Sequence, residues 1–329
     1  MKLLVLSAAD VREVLGYPAC AAAMRVAFTE LSAGRASQPM RSWTATPAVD
    51  GLTGIMPALL PGAERIAYGL KVISIRPGNT ARGADTHLGL MLLADFGTGE
   101  PLAVLNASAL TEIRTAAVSV LATDVLARPG AGDLAIVGTG AQARAHALAF
   151  SQGRPLRQIR IGGRSPAKAI DLADELRPLA RAPVLAAPTV RDAVDGADII
   201  VTVTGSPEPV LHRDWVAPGA HVNAVGASQP AARELDGALV AAAGLFADSR
   251  AALLAESGDF LLAQAEGLIG PGHVRAELGE VLSGTACGRA GENEITIFKS
   301  LGLAVEDVAA AQLAYENAAS SGLGQWTEF

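Results

Sequence analysis

Residues 133–165 read DLAIVGTGAQARAHALAFSQGRPLRQIRIGGRS, and this stretch constrains the fold more than any other. A short apolar run, 134–137, meets Gly138-Thr139-Gly140-Ala141-Gln142-Ala143. Apolar residues then recur at helical spacing (Ala143, Ala147, Leu148, Phe150) before a second apolar run at 159–161. Strand, glycine turn, helix and strand in that order make a dinucleotide-binding βαβ unit. Gly138 permits the tight turn, Gly140 lets a pyrophosphate approach the backbone, and Ala143 keeps the helix close to the sheet. Unpaired N–H groups at the helix start, with the positive end of its dipole, would hold the phosphate charge.

The 329 residues suffice for two domains with separate cores. Although 50% of them are hydrophobic, no apolar run reaches the ~20 residues a membrane helix needs. The N-terminal apolar stub meets Asp10, Arg12 and Glu13 too early for a secretory leader, so cytoplasmic residence is expected. Cys20 and Cys287 lie far apart outside any metal-binding spacing and read as reduced and structural. A net charge of −7 and the lack of any basic run argue against nucleic acid as a partner. Lysine occurs only at positions 2, 71, 168 and 299, arginine carrying most of the positive charge.

The spacing predicts a short helix from Ser7, a longer one over 18–32, and a polar strand at 41–44. A turn at 51–54, strands at 55–60 and 66–75, a polar loop at 76–87 and a hairpin over 88–105 follow. A helix over 111–126 leads into the glycine-turn unit. Beyond that unit, Ser165 and Pro166 start a helix. Apolar strands at 198–204, 221–226 and 244–248, separated by helical stretches, indicate a parallel sheet covered on both faces. Residues 250–283 read as mostly helical, and a last helix over 305–319 is expected to pack on the first domain.

Three cations stand out. Lys71 lies within an apolar strand; facing a cavity it would lose proton affinity and suit proton transfer, whereas on an edge it would face solvent. Arg41 and Arg114 suit a carboxylate clamp, or singly a surface role. His87 follows Asp85-Thr86 and reads as an acid–base group or a turn-orienting residue, and His146 as structural. His212, His221 and His273 show no metal-ligand spacing, so no metal is expected. An acid about 20 residues past the glycines would select NAD through the ribose hydroxyls. Here the second strand ends in Gly162-Gly163-Arg164-Ser165, with Lys168 one turn on. Gly163, Arg164, Ser165 and Lys168 suit a 2′-phosphate, so NADP(H) is the expected cofactor and NAD(H) the alternative.

Six segments carry a resemblance to a known family: Gly69-Leu70-Lys71, Thr86-His87-Leu88-Gly89, Glu112-Ile113-Arg114-Thr115-Ala116-Ala117, the glycine turn itself, Glu234-Leu235-Asp236, and Phe298-Lys299-Ser300-Leu301-Gly302. In this order they resemble the ornithine cyclodeaminase/mu-crystallin family from end to end. The resemblance implies an α/β chain with a central Rossmann doubly wound parallel sheet (119–302). An α+β substrate and dimerisation domain would be built from both termini (1–118 and 303–329). It implies a homodimer joined through the N-terminal domain. Arg41, Lys71 and Arg114 fall on positions that contact the substrate carboxylate and reacting centre, Arg114 also bordering the cofactor. Thr86, Ala141, Gln142, Thr204, Val225, Gly226, Ala227 and Ser300 fall on cofactor positions, and Ser228, Glu256 and Leu301 on substrate-side positions.

One departure narrows the activity. True cyclodeaminases carry an aspartate just past the strand that here ends in Val225-Gly226, and this chain has Ser228 there. The resemblance is therefore closer to the ketimine reductases and alanine dehydrogenases. It implies NAD(P)H-dependent reduction of a small imino acid, such as pyrroline-2-carboxylate or piperideine-2-carboxylate, to the L-amino acid. Reductive amination of a 2-oxo acid, cyclodeamination of ornithine with recycled NAD, and a mu-crystallin-like role in binding NADPH and a ligand are the alternatives.

Overall fold

The computed structural model describes residues 2–62, 65–83 and 85–328. Met1 of the apolar stub and Ala84 of the 76–87 loop lie outside the described residues. The chain divides into two compact units, residues 1–114 with 303–329 and residues 115–302.

The first unit begins with β1 (Lys2–Leu6), α1 (Ala8–Val14), α2 (Tyr17–Ser32), β2 (Ser42–Thr46), β3 (Val49–Pro61) and β4 (Ile66–Ile75). It continues through β5 (His87–Asp95), β6 (Pro101–Asn106) and the start of α3 (Ala107–Leu126), in which the boundary falls. The second unit runs through β7 (Asp133–Val137), α4 (Ala141–Gly153), β8 (Gln158–Gly162), α5 (Pro166–Leu176), β9 (Val184–Ala186), α6 (Val190–Val194), β10 (Ile199–Thr202) and β11 (His221–Ala224). Then come α7 (Gly237–Ala242), β12 (Gly244–Ala247), α8 (Arg250–Glu256), α9 (Gly258–Ala265), β13 (Val274–Glu277), α10 (Leu278–Ser283) and β14 (Thr296–Lys299). α11 (Ala304–Ser321) and β15 (Gln325–Glu328) complete the first unit.

The first unit is a seven-stranded sheet in the order β15-β1-β6-β5-β4-β3-β2, antiparallel except for β1 with β6. One face of β4, carrying Gly69, Lys71 and Ile73, is buried, and α11 packs on β3, β4 and α2. Gly69 is what lets α11 in: a Cβ there would stand 2.6 Å from Val308 Cγ2. The predicted turn at 51–54 is absent, because β3 already runs from Val49. Its glycine at 54 instead leaves room for the Trp43 ring, which a Cβ would meet at 2.4 Å.

The second unit is an eight-stranded parallel sheet in the order β13-β12-β14-β11-β10-β7-β8-β9. Strands β10, β11 and β12, which the sequence reading picked out, are buried throughout, and so is β14 beside them. The chain leaves β7 toward β8 and β9, then returns to β10 on β7's other side, making a switch point beside β7. Residues 250–283 are not helical throughout: β13 adds an edge strand to β12. Its four residues are too few for periodicity to separate from the flanking helices. No helix of the described residues is long and apolar enough to cross a membrane.

Candidate active site

Strand β4 places Lys71 on the covered face of the first sheet, 2% exposed. Its Nζ stands 2.5 Å from Asp307 Oδ2 and 3.5 Å from Thr111 Oγ1. Burial lowers the ammonium's proton affinity, Asp307 partly restores it, Arg114 lowers it again, and the net result is a pKa of about 8. Arg114, on α3, is also buried. Its Nε donates to Asp307 Oδ1 at 3.0 Å and its Nη1 to Glu306 Oε2 at 2.5 Å. Burial acts to weaken that cation, but Asp307 and Glu306 together raise its pKa further. Arg41 precedes β2, half-buried, with its guanidinium carbon 5.0 Å from the centre of the Trp43 ring. Thr86 Oγ1 lies 2.9 Å from His87 Nδ1 at the mouth of β5.

Glu306 and Asp307 belong to this buried cluster and were passed over by the sequence reading. They occupy the first turn of α11, where unpaired N–H groups and the helix dipole favour anions, and Glu306 Oε1 accepts from Leu303 N at 3.0 Å. Two adjacent acids in an otherwise alanine-rich, buried stretch were the available signal, since such residues are rarely buried unpaired.

In the second unit, the nucleotide-side candidates gather at the carboxyl ends of parallel strands. Gly138 follows β7 at φ +135°, where a Cβ would meet Val203 O at 2.7 Å, and Gly138 N donates to Gly162 O at 2.9 Å. Gly140 is the N-cap of α4 with no side-chain cap, and nothing lies within 4 Å of where its Cβ would be. Ala141 and Gln142 open the helix. This is an open cradle of N–H donors at a helix start, which fits a pyrophosphate. Past β8, Gly163 sits against the Thr139 side chain, Arg164 and Lys168 are exposed, and Ser165 caps α5 by accepting from Lys168 N at 3.4 Å.

Glu234 organises the neighbouring strand ends. It is fully buried and accepts from Thr202 Oγ1 (2.8 Å), Thr204 N (2.6 Å) and Gly226 N (2.6 Å), and burial raises its pKa. Val225 N donates to Thr202 O at 3.0 Å, and the Ala227 carbonyl accepts from Lys299 Nζ at 2.5 Å. Ser300, past β14, donates its N–H to Ala224 O, while its buried Oγ has no hydrogen-bond partner among the described residues. A buried hydroxyl left over at these strand ends fits a polar ligand group there. Leu301 N donates to Asp248 Oδ2 at 2.5 Å. Ser228 lies half-buried in the loop past β11, and Glu256 half-buried at the end of α8. Glu234, Asp259 and Lys299 were missed as a set; the scarcity of lysine marked Lys299 alone.

The arrangement thus consists of a buried ammonium–guanidinium pair held by two carboxylates in one unit, and a phosphate cradle with built strand ends in the other. The model of the ornithine cyclodeaminase/mu-crystallin family matches residues 1–322. Over 328 residues, 99% of this chain and 100% of the relative, the chain is 38% identical to a Delta(1)-pyrroline-2-carboxylate reductase of Bacillus cereus. Among solved structures, the Delta(1)-pyrroline-2-carboxylate reductase of Thermococcus litoralis, in complex with NADH and L-proline, superposes with a TM-score of 0.94. It is 36% identical, and the match covers 98% of this chain and 99% of that one. An archaeal alanine dehydrogenase dimer with bound NAD gives a TM-score of 0.93 at 32% identity, both chains covered fully.

Proposed function

The chain belongs to the ornithine cyclodeaminase/mu-crystallin family, and we propose that it is an NAD(P)H-dependent reductase of a cyclic ketimine acid such as pyrroline-2-carboxylate, forming the L-amino acid. The observation that carries this reading is Lys71: a buried ammonium with a pKa of about 8, beside the buried Arg114. Relatives matched along their whole length act on that imine, and a neighbour holds NADH with L-proline, the corresponding product.

Arg41 and Arg114 hold the substrate carboxylate by charge-assisted hydrogen bonds. Lys71 Nζ donates a proton to the imine nitrogen, which makes the adjacent carbon a better hydride acceptor. A pKa of about 8 keeps Lys71 charged at neutral pH yet able to give up its proton. Such acid assistance contributes roughly 10²–10⁴ in rate. Bound nicotinamide cofactor supplies the hydride. Gly138, Gly140, Ala141 and Gln142 would hold its pyrophosphate, and Thr86, Arg114, Thr204, Val225, Gly226, Ala227 and Ser300 its nicotinamide side. Ser228, Glu256 and Leu301 would face the substrate side chain.

Relatives of known structure bind NADH or NAD, which supports a nicotinamide cofactor of either form. A preference for NADP(H) rests on Gly163, Arg164, Ser165 and Lys168, two of them exposed cations in the described structure. Removing both charges, Arg164→Ala with Lys168→Ala, is expected to raise the KM for NADPH at least about tenfold while sparing NADH.

A homodimer through the first unit is supported by a row of apolar residues on the face of the sheet opposite Lys71. Ile55, Val72 and Leu90 pair across β3, β4 and β5 and are 44%, 37% and 60% exposed. A row of this kind, exposed in one copy, suits burial against a second copy. The free thiols of Cys20 and Cys287 fit residence in the cytoplasm.

The deciding experiment follows NADPH and NADH oxidation with pyrroline-2-carboxylate, piperideine-2-carboxylate, and pyruvate with and without ammonia. Oxidation on a ketimine alone is the expected result. Activity that requires ammonia would move the assignment to reductive amination, which the likeness to alanine dehydrogenase favours as the second reading. Proline and ammonia from ornithine, without net oxidation, would overturn both.

A further inference from the structure

Lys71, Arg114, Glu306 and Asp307 form a buried quartet whose formal charges cancel. Within it Asp307 touches both cations, Oδ2 to Lys71 at 2.5 Å and Oδ1 to Arg114 at 3.0 Å. Glu306 Oε2 pairs with Arg114 Nη1, and its charge also acts on Lys71. The placement follows from the sequence. Asp307 sits in the first turn of α11, where the helix end stabilises its charge, and Val308 beside it seats in the space that Gly69 leaves open. The close approach of helix and strand thus delivers the carboxylate to the ammonium.

Every charged group around Lys71 acts on its proton. From α3, Arg114 repels it; from α11, Asp307 and Glu306 attract it. From β5, the His87 imidazole faces it, itself less basic through partial burial and the Lys71 charge. Burial alone would push Lys71 toward the neutral amine, which has no spare proton to give.

We propose that Asp307 is a positioning residue for the reaction: it holds the Lys71 ammonium in one orientation and keeps it protonated beside Arg114. The proposal rests on the reading of Lys71 as the proton donor. Glu306 complements it by occupying Arg114 Nη1, so that Asp307 is shared rather than drawn wholly to the guanidinium.

Two readouts test it. The first is the pH profile of kcat/KM, in which a required protonated Lys71 gives a limb that falls as pH rises. The second is the titration of lysine Cε resonances in ¹³C-lysine-labelled protein, where four lysines give few signals and Lys71→Met assigns the one at issue. In Asp307→Asn the attraction is lost, so both the limb and the Lys71 titration are expected to move down by about one unit or more. Asp307→Glu keeps the charge one methylene away and is expected to restore the limb with a lower kcat. If both readouts stay at their wild-type positions in Asp307→Asn, the proposal is overturned. Should that variant not fold, an unchanged kcat in Asp307→Glu overturns it equally. Full activity in Lys71→Met would instead sink the proton-donor reading, a result separable because the resonance titration does not depend on turnover.

Discussion

Lys299 Nζ and Asp259 Oδ2 stand 2.8 Å apart in the interior of the second unit, with 1% and 4% of their side chains exposed. The pair joins the end of β14 to the start of α9. Through Asp259 Oδ1, which accepts from Glu234 N (2.8 Å) and Leu235 N (2.9 Å), it reaches Glu234 as well. The ammonium pairs directly with one buried carboxylate, its charge also offsets part of the burial effect on a second, Glu234, and it donates to the Ala227 carbonyl. Removing one partner of a buried pair leaves the other charge uncompensated, so Lys299→Met is expected to cost about 3–5 kcal/mol in denaturant unfolding. NADH affinity, read by fluorescence, should fall with it as residues 225–227 lose their anchor. Wild-type stability in Lys299→Met would show that the network is not needed.

Arg41 and Arg114 are the two guanidiniums that the proposed function assigns to the substrate carboxylate. The quartet of Lys71, Arg114, Glu306 and Asp307 sums to zero, so an arriving carboxylate finds no net positive charge in it. Arg41, laid against Trp43, lies outside that quartet. A hydrogen bond to a charged group is worth about 1.5–3 kcal/mol, so Arg41→Met should raise KM roughly 10–100-fold with kcat little changed. Steady-state kinetics decide it, and a loss appearing in kcat alone would contradict the assignment.

The row of Ile55, Val72 and Leu90 carries its own prediction. Leu90 is the most exposed of the three, and a charge there would be buried in the proposed dimer at high cost. Leu90→Arg is expected to sediment as a monomer at concentrations where the wild type is a dimer. An unchanged sedimentation coefficient would place any dimer contact elsewhere.

How much of this was readable beforehand depends on the range over which the signals act. The glycine turn after β7 and the buried strands β10 and β11 are local patterns, and the structure has them where the sequence indicated. Lys71 was noticed because a cation interrupts an apolar strand. Its partner Asp307 was not, because the contact joins distant parts of the chain and depends on how α11 seats over Gly69. The glycine at 54 suggested a turn because glycine marks turns and close approaches alike, and only the position of Trp43 tells which applies. Glu234 was read as part of a motif, but its three donors come from strand ends that only the folded sheet assembles.

His146 and His221 weaken the native state as the solution becomes mildly acidic. His146 Nδ1 lies 2.7 Å from Gln142 O, a carbonyl that can only accept, so Nδ1 carries the proton and Nε2 faces Ser119 Oγ at 2.9 Å. His221 Nδ1 faces Thr296 Oγ1, whose own hydrogen goes to Leu126 O. Both rings are fully buried and neutral. Burial holds His146 down to about 4 and, with the Arg289 charge, His221 down to about 3. Below the ordinary histidine value of 6.5 the unfolded chain takes up two protons that the native protein refuses, so stability falls as pH drops from there toward 4. At pH 5 the loss is about 2 kcal/mol for each ring by linkage. Urea unfolding at pH 7 and pH 5 measures it, and His146→Gln, which has no proton to gain, should remove about half of the difference. An equal difference in the variant would mean that His146 is protonated in the native protein as readily as in the unfolded chain.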